Sequence, residues 1–306
     1  MNKRQLGHSE LFVSEISLGC MSLGTDRDKA KYIIERALDA GINYLDTADL
    51  YDFGTNEKIV GEAIKGRRED IILGTKVGNN FTPGQEGWTW DPSKKHIKRG
   101  VKDSLQRLST DYIDLYQLHG GTIDDPIEET IEAFEDLKQE GLIREYGISS
   151  IRPNVIRRFV EKSNIASVMM QYNALDRRPE EEILDLLSDN NIGVLARGPL
   201  AKGMLSSNGH KKSQEKAQNG FLEYSYEEIQ SITRKWQDYG SEDRTPTALA
   251  LQYVLHHPAM ASAVFGASSL EQLEENLTYL KAAPLTEQIF GEIQTMTSPI
   301  TYQKHR

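Results

Sequence analysis

The chain has 306 residues, 38% hydrophobic and 27% charged, a balance that supports a sizeable packed core and excludes an intrinsically disordered protein. Its formal net charge of −10 argues against sequence-independent binding to nucleic acid or to an anionic membrane surface. A single cysteine, Cys20, excludes intramolecular disulfides and Cys-rich metal centres; with no signal-peptide core and no apolar run of about 18 residues, a soluble cytoplasmic protein is expected.

Along the chain, residues 5–13 read as two short strands around a turn at 7–10. Runs of β-forming residues follow at 16–19, 42–46, 71–76, 113–118, 145–149, 168–171, 193–196 and 263–266. Most are nearly continuous in apolar residues, as expected of parallel strands covered on both faces. Between them the apolar period lengthens to that of a helix. Residues 29–40 place Ile33, Ala37 and Ala40 on one face and stop at Gly41; residues 127–140 do the same with Ile127, Ile131, Phe134 and Leu137 and stop at Gly141. Thr245-Pro246 fits an N-cap with proline at the first helical position, opening an apolar helix to His256.

Eight strands alternating with helices predict a (β/α)8 barrel of one domain over residues 1–306, its floor closed by the N-terminal hairpin. The competing architecture, an open doubly wound sheet, has fewer strands and usually a Gly-rich first turn; no GxGxxG occurs. Two segments depart from the repeat: the loop 78–92, with Trp88 and Trp90, and the Lys-rich polar stretch 201–226. Long loops in such a domain tend to be functional.

Active sites of these barrels lie at the carboxyl ends of the strands. There the sequence places Asp46, Lys76, His119, Ser149, Gln171, Arg197 and Gly266-Ala267-Ser268. Asn43-Tyr44-Leu45-Asp46-Thr47-Ala48-Asp49-Leu50-Tyr51 resembles the aldo-keto reductase motif, in which a tyrosine follows the strand-ending aspartate by five positions. Gly74-Thr75-Lys76, Leu115-Tyr116-Gln117-Leu118-His119, Gly147-Ile148-Ser149, Gln171-Tyr172-Asn173 and the run from Gly266 to Asn276 match the same superfamily in order, and the chain resembles its aflatoxin-aldehyde reductase and potassium-channel β-subunit branches. The resemblance spans nearly the whole chain and implies a catalytic tetrad of Asp46, Tyr51, Lys76 and His119.

The chemistry accounts for that set. Reducing a carbonyl needs hydride at carbon and a proton at oxygen, and a free tyrosine, with a pKa of about 10, donates poorly at neutral pH. A neighbouring ammonium favours the phenolate: Lys76 is expected in that role, Asp46 as its counter-charge, and His119 as the group that orients the carbonyl. No metal is required. Asp46 and Lys76 also suit an ordinary ion pair at the barrel mouth, and Lys76 alone would suit a Schiff-base lyase, although that leaves Tyr51 unexplained.

The resemblance further implies NADPH as cofactor, with NADH as the other candidate. Ser149, Ser150 and Gln171 would meet the nicotinamide carboxamide, beside Met21 and Asp46. Arg197 stands where the family usually has a stacking tyrosine; a guanidinium plane can also stack on a ring. Gly198, Pro199, Leu200, Lys202 and Gly203 resemble the pyrophosphate loop. Gly266, Ala267, Ser268, Gln272, Glu275 and Asn276 resemble the adenosine-phosphate site, the last three on one face of a helix expected over 269–279. Many NADPH-specific members carry Lys or Arg in that segment, where this chain has Ser268, Ser269 and Gln272.

Leu23, Phe53, Trp88 and Trp90, with Met21, Tyr51 and His119, are expected to wall a pocket for a small aldehyde or ketone with an apolar body. A cofactor-binding sensor with little turnover is the rival class, since potassium-channel β subunits share the superfamily; the complete tetrad favours an enzyme.

Overall fold

The structure, a computed structural model, describes residues 1–82 and 84–306; Pro83, inside the expected loop 78–92, lies outside the described residues. Lys3–Gln5 (β1) and Phe12–Ser14 (β2) pair antiparallel. The turn between them presses against the barrel backbone: Gly7 has φ +59, and a Cβ there would stand 2.5 Å from the Ala166 carbonyl oxygen. Only glycine meets both conditions.

The chain continues through Ile16–Gly19 (β3), Tyr44–Asp46 (β4), Ile72–Val77 (β5), the short ribbon Asn79–Asn80 (β6) and Thr89–Trp90 (β7), then Ile113–Leu118 (β8), Ile143–Ser149 (β9), Ser167–Gln171 (β10), Gly193–Arg197 (β11) and Met260–Gly266 (β12). Strands β3, β4, β5, β8, β9, β10, β11 and β12 pair in parallel and in that order, and β12 returns to β3, closing the barrel. This is a (β/α)8 barrel.

Its sheath consists of Arg27–Asp39 (α1), Thr55–Ala63 (α2), Lys94–Leu108 (α3), Ile127–Gln139 (α4), Pro153–Lys162 (α5), Ile183–Asp189 (α6), Gly209–Lys216 (α7), Tyr226–Asp238 (α8), Pro246–Leu255 (α9), Leu270–Leu277 (α10) and Glu287–Met296 (α11). Asp26 caps α1 through the Lys29 amide, and Thr245 caps α9 ahead of Pro246, each satisfying a backbone donor the helix cannot. The polar stretch 201–226, expected to depart from the repeat, contains α7, and α11 lies beyond the eight-fold repeat. Both are short helices with few buried apolar positions, so the periodic signal is weak there.

Two apolar compartments hold the fold. The larger lies between strands and helices, where Ile33, Val60, Ile97, Phe134, Ile156 and Leu251 are buried, each contributing roughly 1.5–3 kcal/mol of burial free energy. The smaller fills the barrel: Leu6, Leu11 and Val13 of the hairpin enter from the floor and meet Tyr44, Leu115, Met169, Leu195 and Val264. The hairpin therefore plugs the floor and leaves the opposite end for chemistry.

Candidate active site

Side chains alternate across a strand, so Tyr44 and Asp46 both point into the barrel. Across β5, Gly74 and Lys76 share that interior face. Gly74 is required where it stands: a Cβ would lie 2.4 Å from the Tyr44 hydroxyl oxygen. The vacant side-chain volume lets the Tyr44 ring lie against the neighbouring strand and donate its hydroxyl to Asp46 Oδ1 at 3.1 Å. Lys76 is in register with Gln117 on β8, whose amide nitrogen lies 3.4 Å from the same Asp46 oxygen. Tyr44 and Gln117 were not singled out from the sequence, although the strand period and the pairing register identify both.

Lys76 is fully buried. Its ammonium donates to Asp46 Oδ2 at 2.6 Å, to the Thr47 carbonyl at 2.7 Å and to the Tyr51 hydroxyl at 3.3 Å. Burial alone would drive the ammonium toward neutrality; the Asp46 carboxylate and then the Tyr51 hydroxyl outweigh it and hold Lys76 above the ordinary lysine range. The His119 ring meets Tyr51 edge-on, centroids 5.8 Å apart. Burial first, then the charges of Lys76 and Arg197, push its imidazole down to about 3, so it is neutral at physiological pH. The four residues implied as the tetrad are thus brought together at the mouth.

The turn that carries Tyr51 is strained. Asp52 and Phe53 have φ of 48 and 50, a region that costs non-glycine residues about 1–2 kcal/mol each. Polar contacts brace the segments on either side of it. Arg107 donates to Glu57 at 2.5 Å, and Glu57 accepts from Thr75 at 2.6 Å. Thr47 donates to Asn56 at 2.6 Å, and Asn56 donates to the Cys20 carbonyl at 2.9 Å, tying β4 to the end of β3.

On the far side of the mouth, Ser149, Ser150, Gln171 and Arg197 sit at the ends of β9, β10 and β11. Gln171 and Arg197 are register partners, joined by Arg197 Nη1 donating to Gln171 Oε1 at 3.2 Å. Ser150 Oγ accepts from the Arg152 amide at 3.2 Å, which leaves its proton free to donate. These hydroxyl, amide and guanidinium groups match in type what a carboxamide requires. Gly198 turns at φ +66 and its carbonyl accepts from Asn173 at 2.9 Å; Pro199 and Leu200 follow, with Lys202 exposed and its ammonium 5.7 Å from the Phe221 ring centroid. The loop ends at Gly203.

Gly266 and Ala267 lead into the N-terminus of α10. There Ser268 donates through both its amide and its hydroxyl to Gln272 Oε1, at 2.9 and 3.1 Å. Glu275 is engaged by the Ser207 amide at 2.9 Å and by the Thr247 hydroxyl, which anchors the stretch after β11 to this helix. Asn276 is buried and donates to the Gln272 carbonyl at 2.7 Å.

Of the expected pocket residues, Met21, Phe53 and Trp88 are 62%, 40% and 55% exposed on the loops after β3, β4 and β5, with Phe81 edge-on to Phe53. Leu23 is a correction: it is 2% exposed and packed in the strand–helix core, because the 3-10 turn after β3 points it inward, and it offers no surface to a substrate. Trp90 stands against Gly78 and Gly120 and donates its indole N–H to Asp125 at 3.0 Å. A separate surface hollow of about 330 Å³, lined by Lys31, Glu35, Asp39, Glu62 and Arg67, sits toward the floor between α1 and α2 and takes no part in this arrangement.

A (β/α)8 barrel with a buried Lys–Asp pair reaching a tyrosine hydroxyl at its mouth defines an oxidoreductase of the aldo-keto reductase type. The chain belongs to the aldo/keto reductase family, whose model matches residues 15–297; members of that family use nicotinamide cofactors. It is 57% identical, over the full length of both chains, to the oxidoreductase YqkF of Bacillus subtilis. It is 31% identical to the NADH-specific methylglyoxal reductase of Escherichia coli, covering 92% of this chain and 94% of that one. Among solved structures, the holo form of aldo-keto reductase AKR11C1 from Bacillus halodurans superposes with a TM-score of 0.93 at 55% identity, covering 100% of this chain and 99% of that chain. Among the described residues no helix is long and apolar enough to cross a membrane.

Proposed function

We propose that the protein reduces small aldehydes or ketones to alcohols, with Tyr51 as the proton donor and a nicotinamide dinucleotide, NADPH before NADH, as the reductant. The observation that carries this reading is the buried Lys76 ammonium reaching both Asp46 and the Tyr51 hydroxyl. A bound reduced nicotinamide supplies hydride to the carbonyl carbon. The protein supplies the rest. Tyr51 gives its proton to the carbonyl oxygen, and the Lys76 ammonium stabilises the phenolate left behind. Asp46 keeps Lys76 charged and aimed. Neutral His119 offers a ring N–H to the carbonyl oxygen without competing for the proton.

Ser149, Ser150 and Gln171 are the residues that would hold the carboxamide, with Arg197 beside the ring. The loop 198–203 and the start of α10 would hold the phosphates; backbone donors at a helix N-terminus favour an anion there. The exposed Met21, Phe53 and Trp88 favour a carbonyl compound with an apolar body. The test is oxidation of NADPH or NADH by the purified protein across a panel of aldehydes, with Tyr51→Phe as control. Carbonyl-dependent oxidation lost in the variant is expected; equal rates overturn the assignment of Tyr51, and cofactor binding without turnover in the wild type favours a sensor.

A further inference from the structure

Gln171 is held from two sides by groups of opposite hydrogen-bonding character. Its Nε2 donates to Asp176 Oδ2 at 2.7 Å, and its Oε1 accepts from Arg197 Nη1 at 3.2 Å. Asp176 is fully buried, and Arg178 donates to both of its carboxylate oxygens, Nε and Nη2 each at 2.7 Å. Paired in this way, the carboxylate remains an acceptor only, as a guanidinium is a donor only. The amide therefore has one satisfied orientation. Turned over, its oxygen would face the buried Asp176 carboxylate, oxygen against oxygen, at a loss of about 1–3 kcal/mol, while its NH2 would face the solvent-exposed Arg197 guanidinium, donor against donor.

The two partners differ in mobility. Asp176 is locked in the interior, where its backbone amide also donates to Asn173 Oδ1 at 2.9 Å, whereas Arg197 is exposed at the strand end. A ligand at the mouth can displace Arg197 from Gln171 but not Asp176. We propose that Asp176 is a positioning residue that fixes Gln171 with its carbonyl oxygen toward the mouth, so that the site selects a ring substituent carrying an N–H donor, the NH2 of a carboxamide, over a methyl ketone of the same shape. This rests on the nicotinamide reading given above. It goes beyond that reading by naming the residue that decides which end of the Gln171 amide the ligand meets.

The test measures binding by calorimetry, without turnover, of NADP+ and of its 3-acetylpyridine analogue, in which a methyl group replaces the NH2. The wild type should bind the analogue roughly fivefold more weakly, the value of one neutral hydrogen bond, and Gln171→Ala should bind the two alike. Asp176→Asn keeps the volume and an acceptor for Arg178 but adds a donor, so either orientation of Gln171 is satisfied; its preference should fall to within about twofold. A structural role would weaken both ligands together and leave their ratio unchanged.

Loss of preference in Gln171→Ala with full preference in Asp176→Asn overturns this proposal alone. Equal preference in Gln171→Ala and wild type, or no binding of either dinucleotide, overturns the carboxamide contact and this proposal with it. A variant-free measurement covers the case in which Asp176→Asn does not fold: in the 15N spectrum of the ligand-free wild type, the Gln171 side-chain NH2 (assigned by its absence from Gln171→Ala) should exchange with water more slowly than exposed glutamine amides. Exchange at the exposed rate overturns the proposal.

Discussion

Lys76 and Asp46 form an ion pair closed to water, Nζ to Oδ2 at 2.6 Å, with side chains 1% and 6% exposed. Removing one partner of such a pair leaves a buried charge uncompensated, at a cost of about 3–5 kcal/mol. Lys76→Met is therefore expected to lower the urea midpoint substantially and to abolish most carbonyl reduction in the fraction that folds. A folded variant with wild-type rates would break the link between Lys76 and Tyr51.

Tyr51 is half-buried at the rim, so losing its hydroxyl empties no core. Tyr51→Phe should lower the reduction rate by about 10²–10⁴-fold, the usual worth of a positioned acid, while dinucleotide affinity changes by less than about twofold. Fluorescence titration and steady-state rates on the same preparation check both. A large loss of affinity would make the tyrosine structural.

His119, pushed down to about 3 by burial and by the neighbouring cations, stays neutral in the native protein across the range where the unfolded chain titrates near 6.5. Its contribution to stability is complete above about pH 6.5 and is lost as the pH falls toward 3, because the unfolded state takes up a proton that the native state refuses. Between pH 6 and 4, chemical denaturation of His119→Gln should lose stability less steeply than the wild type, by up to about 1.4 kcal/mol per pH unit. Parallel curves would contradict a buried neutral imidazole.

Asp125 accepts from Trp90 at 3.0 Å and from Thr122 through its amide at 2.7 Å and hydroxyl at 2.6 Å, so one carboxylate pins the loop after β5 to the segment following His119. Asp125→Ala should raise the KM for bulky aldehydes several-fold, with kcat and dinucleotide affinity little changed. An unaltered KM would remove this loop from the substrate pocket.

The start of α10 carries Ser268, Ser269 and Gln272, none of them cationic. A modest preference between NADPH and NADH is expected, and Gln272→Arg should shift kcat/KM toward NADPH by about 10–100-fold, the worth of one charge-assisted hydrogen bond to a phosphate. No shift would place the 2′-phosphate elsewhere.

The barrel was legible in the sequence because each strand buried on both faces leaves a short apolar run, and each helix leaves a 3.6-residue stripe. Boundaries moved where propensity was weak: the strand expected over 42–46 is Tyr44–Asp46, the helix expected over 29–40 begins at Arg27, and the strand expected over 263–266 begins at Met260. Asp46, Tyr51, Lys76 and His119 were readable as residues that end apolar strands or follow closely after them.

Spacing along the chain does not encode which groups meet across the barrel. Tertiary structure decided that Gly74 on the neighbouring strand leaves room for the Tyr44 hydroxyl beside Asp46, that Gln117 stands in register with Lys76, and that the turn after β10 brings Asp176 onto one end of Gln171. It likewise placed Leu23 in the core and Trp90 on the two glycines. Composition and period determine which face of an element is buried; the closed ring of parallel pairings determines which polar atoms are left to find one another inside it.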